Sequence, residues 1–316
     1  MPHVLVAGPL HPAGIECLAA APGITYRHVT SRDPAAYVSH VGDADGLVLR
    51  TQPLTAATVA IAPKLRIVSR NGVGYDTVEV EALTERGIPL AVVGDVNTAA
   101  VAEHAMMLLL AASRDLVNSA NRLRTGDWLH RDEYRSRELD AKTLLIIGFG
   151  RIGRQLARYA SAFGVRILAF DPWLPSYAFS GAERISDLHV GLESADLVSI
   201  HVPGTDRPIL DVAAISRLKP GAIIVNTARG NVVDEAALAA ALSEGRVGAA
   251  GIDVFSTEPP PPDHPLLALD SVIATPHSAG LTAECARRMA RAAVQNVLDC
   301  LDGRLDPGLV VNPVKA

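Results

Sequence analysis

"KTLLIIGFGRIG", residues 142–153, decides how this chain folds. The apolar run "TLLIIG" reads as a strand buried on both faces, because nothing polar interrupts it to mark a solvent side. It ends in glycines at 148, 150 and 153, and a helical stretch, "RIGRQLARYASAF", follows. A second apolar run, "VRILAFD", closes on Asp171, 18 residues past Gly153. Each piece has a physical reason. Gly148 permits a tight turn, Gly150 lets the backbone approach a pyrophosphate, and Gly153 lets the helix pack close to the strand. Arg151 and Ile152 fall where the helix opens, and free N–H groups there attract the anion. Asp171 would accept hydrogen bonds from a ribose and repel a 2′-phosphate, which favours NAD over NADP. A bare run of three spaced glycines is a weak signal. With strand, helix and distal acid in order, it predicts a dinucleotide site.

Working outward, the same alternation recurs on both sides. "VLVAG" (4–8), "GLVLR" (46–50) and "LRIVSR" (65–70) read as strands with helical spacing between them, in "HPAGIECLAAA" and "LTAATVAIAP". Downstream come "ADLVSIHVP", "GAIIVNTARG", "GAAGIDVF" and "SVIATPH". Strand–helix alternation predicts parallel sheets with covered faces, here in two α/β domains. The stretches 97–126 and 281–303 read as long helical segments, the second ended by glycine. A long helix on either side of the second series is what a chain needs to leave one domain and return to it. The expected division is 1–97 with 286–316, and 98–285.

Bulk composition narrows the classes. A chain of 316 residues exceeds one compact core, and 49% hydrophobic with 20% charged residues is an ordinary globular balance. A net charge of -5 without a Lys/Arg block argues against nucleic acid. Cys17, Cys285 and Cys300 are scattered, which suits a reducing compartment and offers neither a disulfide framework nor metal spacing. The start lacks the basic segment of a signal peptide, and "AMMLLLAA" is far short of the ~20 residues of a membrane span. A cytoplasmic protein with no membrane partner and no metal is the expectation.

The stretch "EPPPPDHP" begins at Glu258. Four prolines predict a stiff, extended segment that holds this carboxylate in position. Two further polar residues stand at apparent strand ends: Arg229 after "IIVNTA" and His277 after "VIATP". Singly, such an Arg is a surface charge and such a His a satisfied structural residue. Together they are complementary chemistry at the strand ends where open α/β sheets bind ligands. Reduction of a 2-oxo acid needs hydride at the carbonyl carbon and a proton at its oxygen. A histidine with ordinary pKa ~6.5 can exchange that proton near neutral pH. A neighbouring carboxylate favours the imidazolium, and the arginine fork suits a substrate carboxylate. On this reading the proline brace lets Glu258 meet His277.

The ordered set "RNGVGYDTV", "NTAAVAEH", "KTLLIIGFGRIG", "FDP", "HVP", "NTARG", "GIDVF", "EP", "HPLL" and "TPHSAG" resembles the D-isomer-specific 2-hydroxyacid dehydrogenases over almost the whole chain. The resemblance implies a Rossmann-like nucleotide domain inserted in a discontinuous, flavodoxin-like substrate domain. It implies a catalytic set at Arg229, Glu258 and His277, and a carboxylate nest in backbone N–H groups around Val73 and Gly74. Cofactor contacts are implied at His201 and Val202, and at Pro203 on the adenine side. They are also implied at Thr227, Ala228 and Gly280, and at Asp253 on the nicotinamide carboxamide. A homodimer through the nucleotide domain is implied as well, with the segment around Trp128 either at the interface or packed in the core. The chain departs from the family pattern at Ala141, where a glycine is usual, and at Arg207-Pro208.

Arg50 and Arg70, each at an expected strand end, resemble the arginines at the phosphate end of phosphoglycerate dehydrogenase sites. The alternative for each is pairing with a neighbouring acid. The expected substrates are 3-phosphoglycerate/phosphohydroxypyruvate, hydroxypyruvate or glyoxylate. Related phosphite dehydrogenases keep the same triad, and related corepressors bind NAD(H) without turnover, so both stay open. Formate dehydrogenases carry glutamine at the position of Glu258, which disfavours that activity.

Overall fold

A computed structural model describes residues 1–314. The chain divides into two compact units: residues 1–97 with the described residues from Leu281 onward, and Thr98–Gly280. In the first, strands β1 (His3–Ala7), β2 (Thr25–Val29), β3 (Gly46–Leu49), β4 (Ile67–Arg70) and β5 (Leu90–Ala91) form one sheet ordered β2-β1-β3-β4-β5. Every pairing is parallel. This is the flavodoxin-like order, with its reversal at β1/β3. Helices α1 (Pro12–Ala20), α2 (Pro34–Val38), α3 (Ala56–Ala60) and α4 (Val80–Glu85) connect the strands. Both faces are covered, so Leu5 and Leu47 on one and Val6 and Val48 on the other are buried. Each such side chain contributes roughly 1.5–3 kcal/mol.

The second unit opens with α5 (Thr98–Ser113) and α6 (Leu116–Arg124). The helical segment 97–126 is therefore two helices, broken where Asp115 takes a left-handed φ of 48°. There follow β6 (Thr143–Ile147), α7 (Arg151–Ser161), β7 (Arg166–Phe170), β8 (Glu183–Arg184), α8 (Leu188–Ser194), β9 (Leu197–Ile200), α9 (Val212–Ser216), β10 (Ala222–Asn226), α10 (Glu235–Ser243), β11 (Val247–Ile252) and β12 (Val272–Ala274). The sheet runs β12-β11-β10-β9-β6-β7-β8, parallel throughout. Counted within the unit, the first six strands follow the 3-2-1-4-5-6 order of dinucleotide-binding sheets, with the switch point between β6 and β9.

Helix α11 (Ala283–Leu301) then belongs to the first unit, burying Met289, Val294 and Val297. Gly46 makes room for it, since a β-carbon there would lie 2.4 Å from Val297 Cγ1. Buried Asn296 on α11 donates to Val92 O at 3.0 Å and Ser69 Oγ at 3.3 Å. Such bonds offset the cost of burying an amide. Among the described residues, no helix is long and apolar enough to cross a membrane.

Candidate active site

The glycine turn is built as close packing demands. Gly148 has φ 89°, and a β-carbon on it would meet His201 O at 2.5 Å. A β-carbon on Gly153 would sit 2.3 Å from Gly148 O, so α7 packs onto the turn only without one. At Gly150 the corresponding space is open, with nothing within 4 Å. Gly150 is also the N-cap of α7 and brings no side chain to cap the helix. Close contact behind and open space in front, at a helix N-terminus, fit a pyrophosphate. Arg151 and Ile152 form the helix's first turn. Asp171 ends β7 and holds the loop from the side: Oδ2 accepts from Phe149 N at 3.0 Å and Oδ1 from Trp173 N at 3.1 Å.

The strand ends beside this turn carry buried polar atoms without protein partners among the described residues, Thr227 Oγ1 after β10 and His201 Nδ1 after β9. Such atoms fit a polar ligand, because an unpaired buried group is otherwise costly. The other ring nitrogen of His201 lies 2.9 Å from Ser199 Oγ, and burial pushes its pKa down to about 3, so the ring is neutral. Val202 Cγ1 lies against the Gly148 turn, and Pro203 follows it in the chain. Ala228 N–H donates to Asn226 Oδ1 at 3.0 Å, which fixes the backbone leading to Arg229.

Arg229, Glu258 and His277 follow the carboxyl ends of three adjacent strands, β10, β11 and β12. His277 Nδ1 lies 2.7 Å from Glu258 Oε2. That bond is the first cause of a raised His277 pKa. Burial opposes it, the charges of Glu258 and Asp253 add to it, and Arg229 works against it. Burial alone would raise the Glu258 carboxyl, but the bond to His277, the His277 charge, Phe255 N–H and Arg229 together bring it below its ordinary value. Both side chains remain partly open to solvent. The Arg229 guanidinium donates to Ala228 O at 2.7 Å.

The loop carrying Glu258 is held differently from the expected stiff rod. The Glu258–Pro259 bond is cis. Pro262–Asp263 lie in a turn, so the extended run does not reach Pro262. Its clamp is Glu235, at the start of α10, which accepts from Ser256 N at 2.7 Å and Ser256 Oγ at 2.6 Å. His264 Nδ1 accepts from Leu266 N–H, leaving Nε2–H to donate to Glu235 at 3.2 Å. Phe255 N–H donates to Glu258 Oε1 at 3.1 Å. Gly230 packs beneath Phe255 and Ser256, with no room for a β-carbon. Glu235 and His264 escaped the sequence reading, since an acid opening a helix and a His before Pro are ordinary capping residues.

Asp253, assigned to the nicotinamide carboxamide on sequence, has no exposed surface. Its carboxylate accepts from Thr275 Oγ1 at 2.5 Å, Ser278 N at 2.9 Å and Ala279 N at 2.9 Å. Its backbone oxygen accepts from His277 N at 2.8 Å. These bonds hold His277 at a left-handed φ of 50°, and Gly280 closes the turn.

In the first unit, Arg70 is tied into the backbone around it. It is nearly buried, and its guanidinium donates to Gly74 O at 2.9 Å and to Arg50 O. It stitches the end of β3 to the loop holding Val73 and Gly74. Arg50 behaves differently: burial first, and the nearby charge of Arg32 second, lower its pKa. Arg32, a like charge acting on Arg50, was not singled out by the sequence pattern. Trp128 is 62% exposed and is not a core residue.

The family model of the D-isomer specific 2-hydroxyacid dehydrogenase NAD binding domain matches residues 106–279. The chain is 38% identical over 318 residues to a D-3-phosphoglycerate dehydrogenase of Methanocaldococcus jannaschii, covering 99% of this chain and 60% of that enzyme. It is 40% identical over 282 residues to a glyoxylate reductase of Korarchaeum cryptofilum, covering 86% of this chain and 84% of that one. The crystal structure of the TT0316 protein from Thermus thermophilus superposes with a TM-score of 0.88 at 34% identity, covering 98% and 99% of the two chains. The chain thus spans about 60% of the length of the curated phosphoglycerate dehydrogenases it matches. Sequence, topology and glycine turn agree: the chain belongs to the D-isomer specific 2-hydroxyacid dehydrogenase family.

Proposed function

We propose that the protein reduces a small 2-oxo acid to the D-2-hydroxy acid, or runs the reverse, with NAD(H) on the glycine turn. The observation that carries the reading is the 2.7 Å His277–Glu258 pair beside Arg229, all at strand ends next to that turn. When bound, the nicotinamide supplies the hydride. His277 holds the proton destined for the carbonyl oxygen, and Glu258 keeps the imidazolium favoured and its ring oriented through Nδ1. That leaves Nε2 for the substrate. Arg229 offers a planar fork for the substrate carboxylate. In the first unit, the Val73–Gly74 loop suits a carboxylate, and Arg50 with Arg32 suits a phosphate or second carboxylate. Asp171 supports NAD over NADP, because a 2′-phosphate would meet its charge.

A homodimer through the second unit is part of the same reading. Leu116, Val117 and Leu123 of α6, with Trp128, Leu129 and Tyr134, expose large apolar side chains. An open groove of about 340 Å³ lies beside them, lined in part by Leu116, Val117 and Tyr134. Exposed apolar surface of this kind marks an interface.

The test is NADH consumption against glyoxylate, hydroxypyruvate, phosphohydroxypyruvate, pyruvate and a bulky branched 2-oxo acid. Turnover with one clear winner is expected. Silence across the panel, with NADH still bound, would overturn the reductase reading in favour of phosphite oxidation or NAD sensing.

A further inference from the structure

His104, on α5, is absent from every role assigned so far, yet it sits behind the turn that carries His277. Its Nε2 lies 3.0 Å from Thr275 Oγ1 and 3.5 Å from Asp253 Oδ1, and its side chain is only 15% exposed. Thr275 Oγ1 in turn lies 2.5 Å from Asp253 Oδ1. The directions of these bonds follow from chemistry. An ionised carboxylate accepts only, so Thr275 spends its one hydrogen on Asp253. Thr275 Oγ1 is then left as an acceptor, and His104 must present Nε2–H. The chain therefore runs one way, from His104 through Thr275 to Asp253.

Asp253 is the post around which the histidine turn is wound. It receives Thr275 Oγ1–H, Ser278 N–H and Ala279 N–H on its carboxylate and His277 N–H on its backbone oxygen. A left-handed conformation at a residue with a β-carbon costs on the order of 1–2 kcal/mol, so the turn must be held by its surroundings. Two of the bonds that hold it come from His277 N–H itself and from Ser278 N–H next to it, and Thr275 is the side chain on the entering limb. The helix α5 that carries His104 packs against β10, β11 and β12. It is a rigid anchor outside the turn itself.

We propose that His104 is a positioning residue for His277, acting through Thr275 and Asp253 to fix the turn on which the acid–base imidazole meets Glu258. The inference rests on the reductase reading for its catalytic meaning, but its geometry does not need a substrate. The charged groups that act on His277 are Glu258 and Asp253, which favour its protonation, and Arg229, which opposes it. Loosening the turn weakens the contact with Glu258, the leading cause among them.

The experiment follows the imidazole resonances of His277 by NMR across pH, in the full chain without substrate. The proteins are the parent, His104→Leu, His104→Gln and Thr275→Val. Leucine removes the donor, whereas glutamine keeps an N–H for Thr275. The His277 titration should move to lower pH in His104→Leu and Thr275→Val and return in His104→Gln. On the best substrate of the panel, His104→Leu should lower kcat by on the order of tenfold with little change in KM. The double variant His104→Leu/Thr275→Val should be no worse than the poorer single one, as expected for one chain of bonds. A His277 titration unmoved by folded His104→Leu, or glutamine no better than leucine, would overturn the positioning role. Those outcomes are read without turnover, so they are distinct from a silent panel, which would sink the reductase reading alone.

Discussion

Gly230→Ala is the change whose effect can be worked most directly from distances. A β-carbon at Gly230 would lie 1.9 Å from the Phe255 carbonyl carbon and 2.0 Å from Ser256 N. Ordinary contact begins near 3.4 Å, so the Phe255–Ser256 backbone must retreat by about 1.5 Å. These are main-chain atoms, and they cannot rotate away as a side-chain tip would. The same two residues anchor the site. Phe255 N–H holds Glu258 Oε1, and Ser256 is clamped to Glu235 by two bonds. Displacement therefore reaches the carboxylate that orients His277. Overpacking of this kind costs roughly 1–3 kcal/mol of stability, a fall of several degrees in Tm. The catalytic loss should be larger in proportion, since a displacement of ~1 Å in a catalytic constellation costs about 10²-fold. The assay is kcat on the best 2-oxo acid at a temperature where the variant is folded, with NADH affinity measured alongside. A folded Gly230→Ala enzyme with kcat within about twofold of the parent would refute the claim that this contact sets Glu258.

Three more outcomes are expected. Ala141 holds φ 59°, a left-handed value where the family has glycine. Ala141→Gly relieves ~1–2 kcal/mol of strain against a smaller entropic cost of glycine, so denaturant unfolding should show a gain of roughly 0.5–1 kcal/mol; a loss would contradict it. Glu258 is the leading cause of the raised His277 pKa, so the protonated form persists to higher pH, and reduction fails as pH rises through that value. In Glu258→Gln the alkaline limb of the kcat–pH profile should move to lower pH, and an unmoved limb would count against the pair. Arg50→Ala should raise KM far more for a doubly anionic substrate than for glyoxylate. Equal effects on both would sink a phosphate role for Arg50.

The parallel sheets were legible because their strands are buried on both faces and read as unbroken apolar runs. Three strands were not. Thr25–Val29 is a polar edge strand, and Leu90–Ala91 and Glu183–Arg184 are two residues each, too short to show a period. The break between α5 and α6 was hidden because Arg114 and Asp115 are compatible with a continuing helix. At the site, glycine spacing announced the turn, and strand-end positions singled out Glu258 and His277, which the fold brings to 2.7 Å. The proline run told only part of the loop, because composition does not show that Glu235 and His264 clamp it or that it turns at Pro262. The place of Arg70 at a strand end was legible, and its hold on the neighbouring loop was not. Two of the bonds Arg70 makes, to Gly74 O and Arg50 O, are to backbone atoms that carry no sequence signature. His104 closes the motif "NTAAVAEH", but nothing in that motif shows that its ring faces Thr275 and Asp253.

The central claim is that His277 delivers the proton in reduction of a 2-oxo acid. The most direct measurement compares NADH oxidation by the parent and His277→Ala on the best substrate, with NADH binding measured in both. The account predicts retained cofactor binding and a kcat lower by at least ~10²-fold, the loss typical of a general acid. An unchanged kcat would contradict it.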